Sequence, residues 1–203
     1  MDEAFSIFTE SMGQPAYRQE VPPSSLERYK NRLPNQLLEY WAEHGWCGYA
    51  DGLFWTVNPQ DYEGVTASWL EGTALAARDT YHLIARSAFG DLYFFGEQTG
   101  FSLKIIGYLS CYVGKDRKIV NMDRHVQNFF AMRDRETDDF DDMFEPLKKR
   151  LGIVKHDEMY AFVPALSLGG TASLDHVEKV KAQEHLVFLS QIAPLEPYNF
   201  SDF

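Results

Sequence analysis

Histidine and cysteine are the side chains best suited to acid–base catalysis, nucleophilic attack and transition-metal binding. The chain holds six histidines and two cysteines, at His44, His82, His125, His156, His176, His185, Cys47 and Cys111. None of them falls into the HExxH, HxH or CxxC spacings that hold zinc. We therefore expect no metal ion and no cofactor.

Two groups of residues remain open to an enzymatic interpretation. Cys47 follows His44 by three residues, but the two flank the helix-ending Gly45 and no third residue orients them. His82, Arg86 and Glu97 lie on strands of a predicted hairpin, where alternation puts His82 and Arg86 on one face. There is also no GxSxG element and no phosphate-binding loop. We expect a protein that is not an enzyme and keep the second group as an alternative.

An acidic run spans residues 133–145, RDRETDDFDDMFE, and holds seven carboxylates. It lacks the DxDxDG frame and central glycine of a calcium loop. Such a run is either the solvated start of a helix or a docking face for a basic partner.

The overall charge favours the docking interpretation. The formal net charge is −11, from 30 acidic and 19 basic residues, so the surface repels phosphate backbones and direct nucleic-acid binding is disfavoured. The N-terminal MDEAFSIFTESMG has no basic segment followed by an apolar run, and no apolar stretch is long enough to span a bilayer. These features predict a cytoplasmic protein without a membrane segment.

Aromatic residues are concentrated in the stretch Leu37–Tyr62. Its helical part places Trp41 in the core, and strand alternation buries one of Phe54 and Trp55 and exposes the other. Trp46, Tyr49 and Asp51 fall in a predicted turn, where the aromatic side chains either bridge the helix and the sheet, which is the favoured interpretation, or are exposed and anchor a partner. From charge and aromaticity we expect the partner-binding residues to be Asp138, Asp139, Asp141, Asp142, Glu145, Trp46, Tyr49, Asp51, Tyr62 and Glu63.

The periodicity of the chain predicts an α+β fold in two domains. Residues 1–115 read as helices followed by an antiparallel sheet of four or five strands, with a hairpin turn at Gly90–Asp91. Residues 116–203 read as a small, mostly helical domain. Its predicted helices include one that ends at Gly152 and one from about Ser173 to Ile192.

Two blocks of the chain resemble known families. LPNQLLEYWAEHGWCGYADGLFWTVNPQDY followed by ARSAFGDLYFFGE resembles the GAD-like domain. The shared features are a Leu-Pro helix entry, a Trp before a helix-ending Gly, a Gly-hydrophobic-Trp strand, Asn-Pro and a Phe-Gly-Asp hairpin. RLGIVKHDEMYAFVPALSLGG and the EHLVFLSQ helix are similar to the C-terminal domain that follows it in immunity proteins of type VI secretion.

The resemblance implies a non-enzymatic cytoplasmic antitoxin that binds the nuclease domain of a secreted DNase. The favoured pairing is a DNase of the HNH type including its GHH branch, although other DNase classes also pair with this architecture. The alternative is a regulatory or scaffolding module without a toxin partner.

Overall fold

An eight-stranded sheet organises the computed structural model, which describes residues 2–114 and 119–198. The strands lie in the order β1 (Ala16–Gln19), β2 (Trp46–Tyr49), β3 (Phe54–Thr56), β4 (Tyr81–Ser87), β5 (Asp91–Gly96), β6 (Gly100–Ile106), β7 (Cys111–Gly114) and β10 (Glu196–Pro197). Successive strands pair antiparallel, except that β10 runs parallel to β7. A separate two-stranded sheet joins β8 (Glu158–Phe162) to β9 (Val177–Lys181).

Eight α-helices are found in the described residues. They are α1 (Glu3–Met12), α2 (Pro23–Tyr29), α3 (Asn35–His44), α4 (Glu63–Leu70), α5 (Met122–Ala131), α6 (Arg135–Asp138), α7 (Phe144–Leu151) and α8 (Ala182–Ile192). The predicted α+β class is confirmed. The C-terminal region, residues 119–198, carries four of the helices together with the β8–β9 ribbon.

Both faces of the large sheet are covered, so alternate residues of one strand enter two different cores. Phe54 and Tyr93 point into the core formed with α1, α3 and α5. Their neighbours Trp55 and Phe94 point into the core formed with α4 and α8. The expectation that one of Phe54 and Trp55 is exposed is therefore wrong, since both are at least 98% buried.

Local signals set the ends of helix α3. Pro34 precedes its first residue, and Gly45 ends it with a φ of +81°, which L side chains rarely adopt. A Cβ at Gly45 would also lie 2.4 Å from the carbonyl oxygen of Gln19 on β1. Glycine at position 45 is thus needed for the turn that ends α3, as the sequence predicted. It is also needed for the close approach of β1, which the sequence did not predict.

Three segments depart from the predicted elements. The expected turn at Trp46–Tyr49 is strand β2, held between β1 and β3. The expected helix from about Ser173 begins only at Ala182, because Val177–Lys181 pairs with β8 instead. The helix before Gly152 starts only at Phe144, since Asp141 and Asp142 adopt left-handed φ values of 46° and 56°.

The N-terminal region, residues 2–114, and the C-terminal region meet around the β4–β5 turn. The amide of Tyr160 in β8 donates to the carbonyl of Ala88, and Met159 lies against Gly90. The predicted domain boundary at residues 115 and 116 lies outside the described residues. No helix in the described parts of the chain is both long and apolar enough to cross a bilayer.

Candidate functional site

The alternative enzymatic group, His82, Arg86 and Glu97, does not assemble on one face of the sheet. Strand β4 has a bulge between Leu83 and Ala85, so that His82 pairs with Phe95 while Arg86 pairs with Leu92. These partners lie on opposite faces of β5, and the prediction that His82 and Arg86 share a face is wrong. His82 Nε2 does approach Glu97 Oε1, at 2.9 Å.

His82 is hydrogen-bonded to a structural ion pair. Glu97 also accepts a hydrogen bond from Arg32 Nε at 2.9 Å. Burial lowers the pKa of His82 below its usual value, against the opposing effect of the Glu97 hydrogen bond. The neutral imidazole therefore packs edge-on to Tyr29 and ties β4 to the segment after α2. The contacts of His82 with Glu97 and Tyr29 are those of a packing residue.

Cys47 and His44 do not form a catalytic pair either. The Cys47 thiol lies 3.0 Å from the backbone carbonyl oxygen of His44, to which it donates, while the His44 ring stacks on Phe5 with centroids 4.0 Å apart. Burial raises the pKa of the Cys47 thiol, which keeps it protonated and a poor nucleophile. The His44 side chain is mostly buried, because Phe5 of α1 packs over it.

Four of the expected partner-binding residues are buried. Trp46, Tyr49 and Tyr62 are 3%, 1% and 4% exposed, and Asp138 is 1% exposed. Trp46 packs edge-on to Trp41, and Tyr49 packs edge-on to Phe8. Of the two interpretations of Trp46 and Tyr49, exposure is wrong, because strand β2 lies inside the sheet.

Asp138 holds helix α6 against the sheet. It accepts a hydrogen bond from the Tyr93 hydroxyl at 2.5 Å, and Arg133 Nη1 lies 3.8 Å from the same oxygen. Burial raises the pKa of Asp138 to about 6, although Arg133 acts in the opposite direction. This carboxylate is a packing contact of the acidic run and is not available to a partner.

Four other expected residues remain on the surface: Asp51, Asp141, Asp142 and Glu145, which we call the acidic surface. Lys148 Nζ lies 2.9 Å from Asp51 Oδ2 and 2.7 Å from Glu145 Oε1. The structure thus brings together carboxylates that are far apart in sequence, one from each region.

The last two expected residues are Asp139, which lies beside the acidic surface, and Glu63, which lies away from it. Asp139 is half-buried and accepts a hydrogen bond from the Phe144 amide at 2.9 Å, at the start of α7. Burial raises its pKa. Glu63 is exposed and pairs with Arg28 of α2 at 2.7 Å, and no contact among the described residues joins it to the acidic surface.

Arg86 connects the two regions from a fully buried position. Its Nε donates to the Tyr62 hydroxyl at 3.0 Å, and its Nη2 donates to the carbonyls of His156 and Glu158 at 2.8 and 2.9 Å. No carboxylate pairs with it in the described residues. Carbonyl dipoles of the C-terminal region therefore stabilise a buried cation of the N-terminal region.

A cavity of about 480 Å³ opens beside this contact, and we call it the seam cavity. Its aromatic lining comes from the N-terminal region, namely Tyr17, Trp46, Trp55 and Tyr62. His156, Asp157 and Gln183 close it from the C-terminal region. Its volume is within the range of about 300–1,000 Å³ typical of small-molecule sites.

Sequence reasoning did not find the seam cavity. Its residues are scattered over five elements and share no spacing. The one local signal is a lone arginine in the apolar strand β4, because a buried arginine requires several hydrogen-bond acceptors. Among the described residues no group of three or more His, Cys, Asp or Glu side chains is arranged to hold a metal ion.

Comparison with known proteins identifies both regions. The model of the GAD-like domain matches residues 3–109, and the model of the C-terminal domain of T6SS immunity protein Tdi1 matches residues 123–193, T6SS being the type VI secretion system. No curated protein matches the chain.

One solved structure has the same fold over nearly the whole length. It is the crystal structure of Atu4351 from Agrobacterium tumefaciens, with a TM-score of 0.85 and 22% identity. The alignment covers 98% of this chain and 93% of that one. The match of the C-terminal domain supports a role as a type VI secretion immunity protein, which implies a toxin effector as partner. The chain belongs to the GAD-like domain family, and its GAD-like domain is followed by the Tdi1-type immunity C-terminal domain.

Proposed function

We propose that this protein protects its cell by binding the nuclease domain of a cognate type VI DNase effector, of the HNH type including its GHH branch. The proposed mode of inhibition is non-catalytic: the protein covers the DNA-binding or active-site surface of the nuclease. Its proposed location is the cytoplasm, where DNA is the target to be protected.

The observation that carries this proposal is the acidic surface. Asp51 of the N-terminal region and Glu145 of the C-terminal region converge on Lys148, with Asp141 and Asp142 also exposed on the loop before α7. A nuclease offers DNA a basic groove, which a surface of carboxylates complements in charge. The net charge of −11 adds long-range attraction that accelerates association at low salt.

The test is co-purification with the products of neighbouring genes, followed by a DNA-cleavage assay with and without this protein. We expect a stable complex and loss of cleavage at equimolar ratio. A complex-forming neighbour that is not a nuclease would contradict the proposed target, and unimpaired cleavage in the presence of bound protein would contradict inhibition.

The interface is tested by neutralising the acidic surface. The variant D51N/D141N/D142N/E145Q suits the backbone, because asparagine tolerates the left-handed conformation of residues 141 and 142. We expect Kd to rise at least about tenfold, which is about 1.4 kcal/mol, and the difference to shrink in high salt.

A matched control separates a specific surface from the overall charge. The variant E10Q/E20Q/E71Q/E178Q removes the same charge from four exposed glutamates on other elements. Its Kd should stay within about twofold of the unaltered protein, because charges away from an interface act mainly on the association rate. Equal weakening by the two variants would remove the acidic surface from the model.

A further inference from the structure

The seam cavity carries a local charge opposite to that of the whole molecule. Arg18 lines it, and Arg86 lies directly behind Tyr62. Neither arginine pairs with a carboxylate in the described residues. Asp157 is neutralised by its hydrogen bond to Lys181, which leaves Asp61 as the only uncompensated acid among the described lining residues. The cavity is therefore slightly positive in a chain of net charge −11.

Arg18 keeps its position without a carboxylate. Its Nε donates to the carbonyl of His44 at 2.9 Å, and its Nη2 donates to the carbonyl of Glu43 at 3.3 Å. Both acceptors belong to the last turn of α3, where carbonyl groups lack helical partners. The guanidinium is fixed at the edge of the cavity, with further N–H groups left for a ligand.

Tyr62 supplies a hydrogen-bond donor to the cavity. Its oxygen accepts from Arg86 Nε at 3.0 Å, so its own proton must point elsewhere. The described residues offer no acceptor for that proton, and the side chain is 96% buried and lines the cavity. Accepting a bond from a guanidinium polarises the phenol and makes it a stronger donor.

The walls are flat aromatic surfaces. The Trp55 ring lies on Gly48, where a Cβ would come within 2.8 Å of it, and its indole N–H donates to the Gly52 carbonyl at 2.8 Å. Tyr17 faces it with ring centroids 6.0 Å apart and planes 31° from parallel. Tyr17 is 55% exposed and has a φ of +55°, a costly conformation for a bulky residue.

We propose that the seam cavity binds a small aromatic carboxylate. The flat ring packs against Trp55 and Tyr17, and the carboxylate accepts hydrogen bonds from the Tyr62 hydroxyl and from Arg18. This site goes beyond the proposed toxin binding and does not depend on it, because the acidic surface shares no residue with the cavity.

Three ligands with one ring and different charges test the proposal: benzoate, benzamide and benzamidine. Binding is followed in the full-length protein through the indole N–H resonances of the four tryptophans, with W55F assigning the Trp55 signal. We expect benzoate to shift the Trp55 resonance with a millimolar Kd. Benzamide should bind more weakly, and benzamidine at least about tenfold more weakly than benzoate, or about 1.4 kcal/mol.

Two variants change the site in opposite directions. Y62F keeps the ring and removes the donor, and should weaken benzoate at least about fivefold. D61N removes the opposing carboxylate and should tighten benzoate about two- to threefold. Y62F also removes a hydrogen-bond acceptor from Arg86, so the thermal unfolding of Y62F is measured in parallel. D61N does not alter any contact of Arg86, and its effect on benzoate binding tests the proposal if Y62F does not fold.

The proposal fails on any of three results. These are a failure of benzoate to shift Trp55 at tens of millimolar, tighter binding of benzamidine than of benzoate, and weaker benzoate binding in D61N. A failure here leaves the proposed toxin binding unaffected, because the cleavage assay uses none of the three ligands.

Discussion

Replacing Arg86 by methionine should loosen the contact between the two regions. Methionine has a similar length and no hydrogen-bond donor, so R86M leaves the carbonyls of His156 and Glu158 and the hydroxyl of Tyr62 without this partner. Buried acceptors left unsatisfied are the main cost of such a change, since the volume is largely retained.

The magnitude follows from the three bonds of 3.0 Å or less. Hydrogen bonds to a charged group contribute about 1.5–3 kcal/mol each, so their loss costs roughly 4–9 kcal/mol. Removing the guanidinium also removes the cost of burying a cation, which is several kcal/mol. We expect a net loss of about 3 kcal/mol in the free energy of unfolding. For a chain of this length that lowers Tm by roughly 6–12 °C.

Urea and thermal unfolding of R86M measure this loss, with R124M as the control. Arg124 is exposed on α5, and its side chain makes no hydrogen bond in the described residues, so R124M should change stability by less than about 0.5 kcal/mol. An R86M protein as stable as R124M would refute the reasoning, because it would mean that the carbonyls gain nothing from the buried cation.

Two further predictions concern single side chains of the sheet and its contacts. Burial raises the pKa of Asp138 to about 6, so the fold favours its protonated form, and this contribution to stability is lost as pH rises from about 4 to about 6. The free energy of unfolding of D138N, taken relative to that of the unaltered protein, should therefore increase by about 2 kcal/mol between pH 4 and pH 7, and a flat difference would contradict the assignment. G48A places a Cβ within 2.8 Å of the Trp55 ring and should destabilise by about 1–3 kcal/mol in denaturant titrations, whereas G64A, with open space around it in α4, should stabilise by up to about 1 kcal/mol. Equal changes in stability for G48A and G64A would show that the Trp55 side chain can move away from the new methyl group without cost.

Sequence reasoning succeeded where local chemistry decides the structure. Gly45 ends α3 as predicted, and the helical spacing correctly placed Trp41 in the core. Each of these signals acts within a few residues, so the surrounding fold does not change its meaning. The two family resemblances rested on such local blocks and were confirmed.

Sequence reasoning failed where distant segments decide the structure. Strand β2 exists only because β1 and β3 pair with it on both sides, and Gly48 within it reads as part of a turn. Asp138 sits in a run of acids that reads as solvated, yet its partner Tyr93 lies 45 residues earlier. The bulge in β4 likewise reversed the face of Arg86, because a single extra residue inverts the alternation.

The parallel pairing of β10 with β7 makes it difficult to separate the two regions of the molecule into independent fragments. Glu196 donates its amide to the Ser110 carbonyl, and Tyr198 donates to that of Tyr112, so the chain returns to the strand from which it left the sheet. The described part of the C-terminal region is therefore also attached to the sheet near its far end, which restricts hinge motion more than a single connection would. A separately expressed C-terminal domain ending at residue 193, where the family match ends, would lack β10 and leave the edge of β7 uncovered in the complementary fragment. Such an exposed edge invites pairing between copies, so that the intact chain, and not the two fragments, is the unit to use in binding experiments.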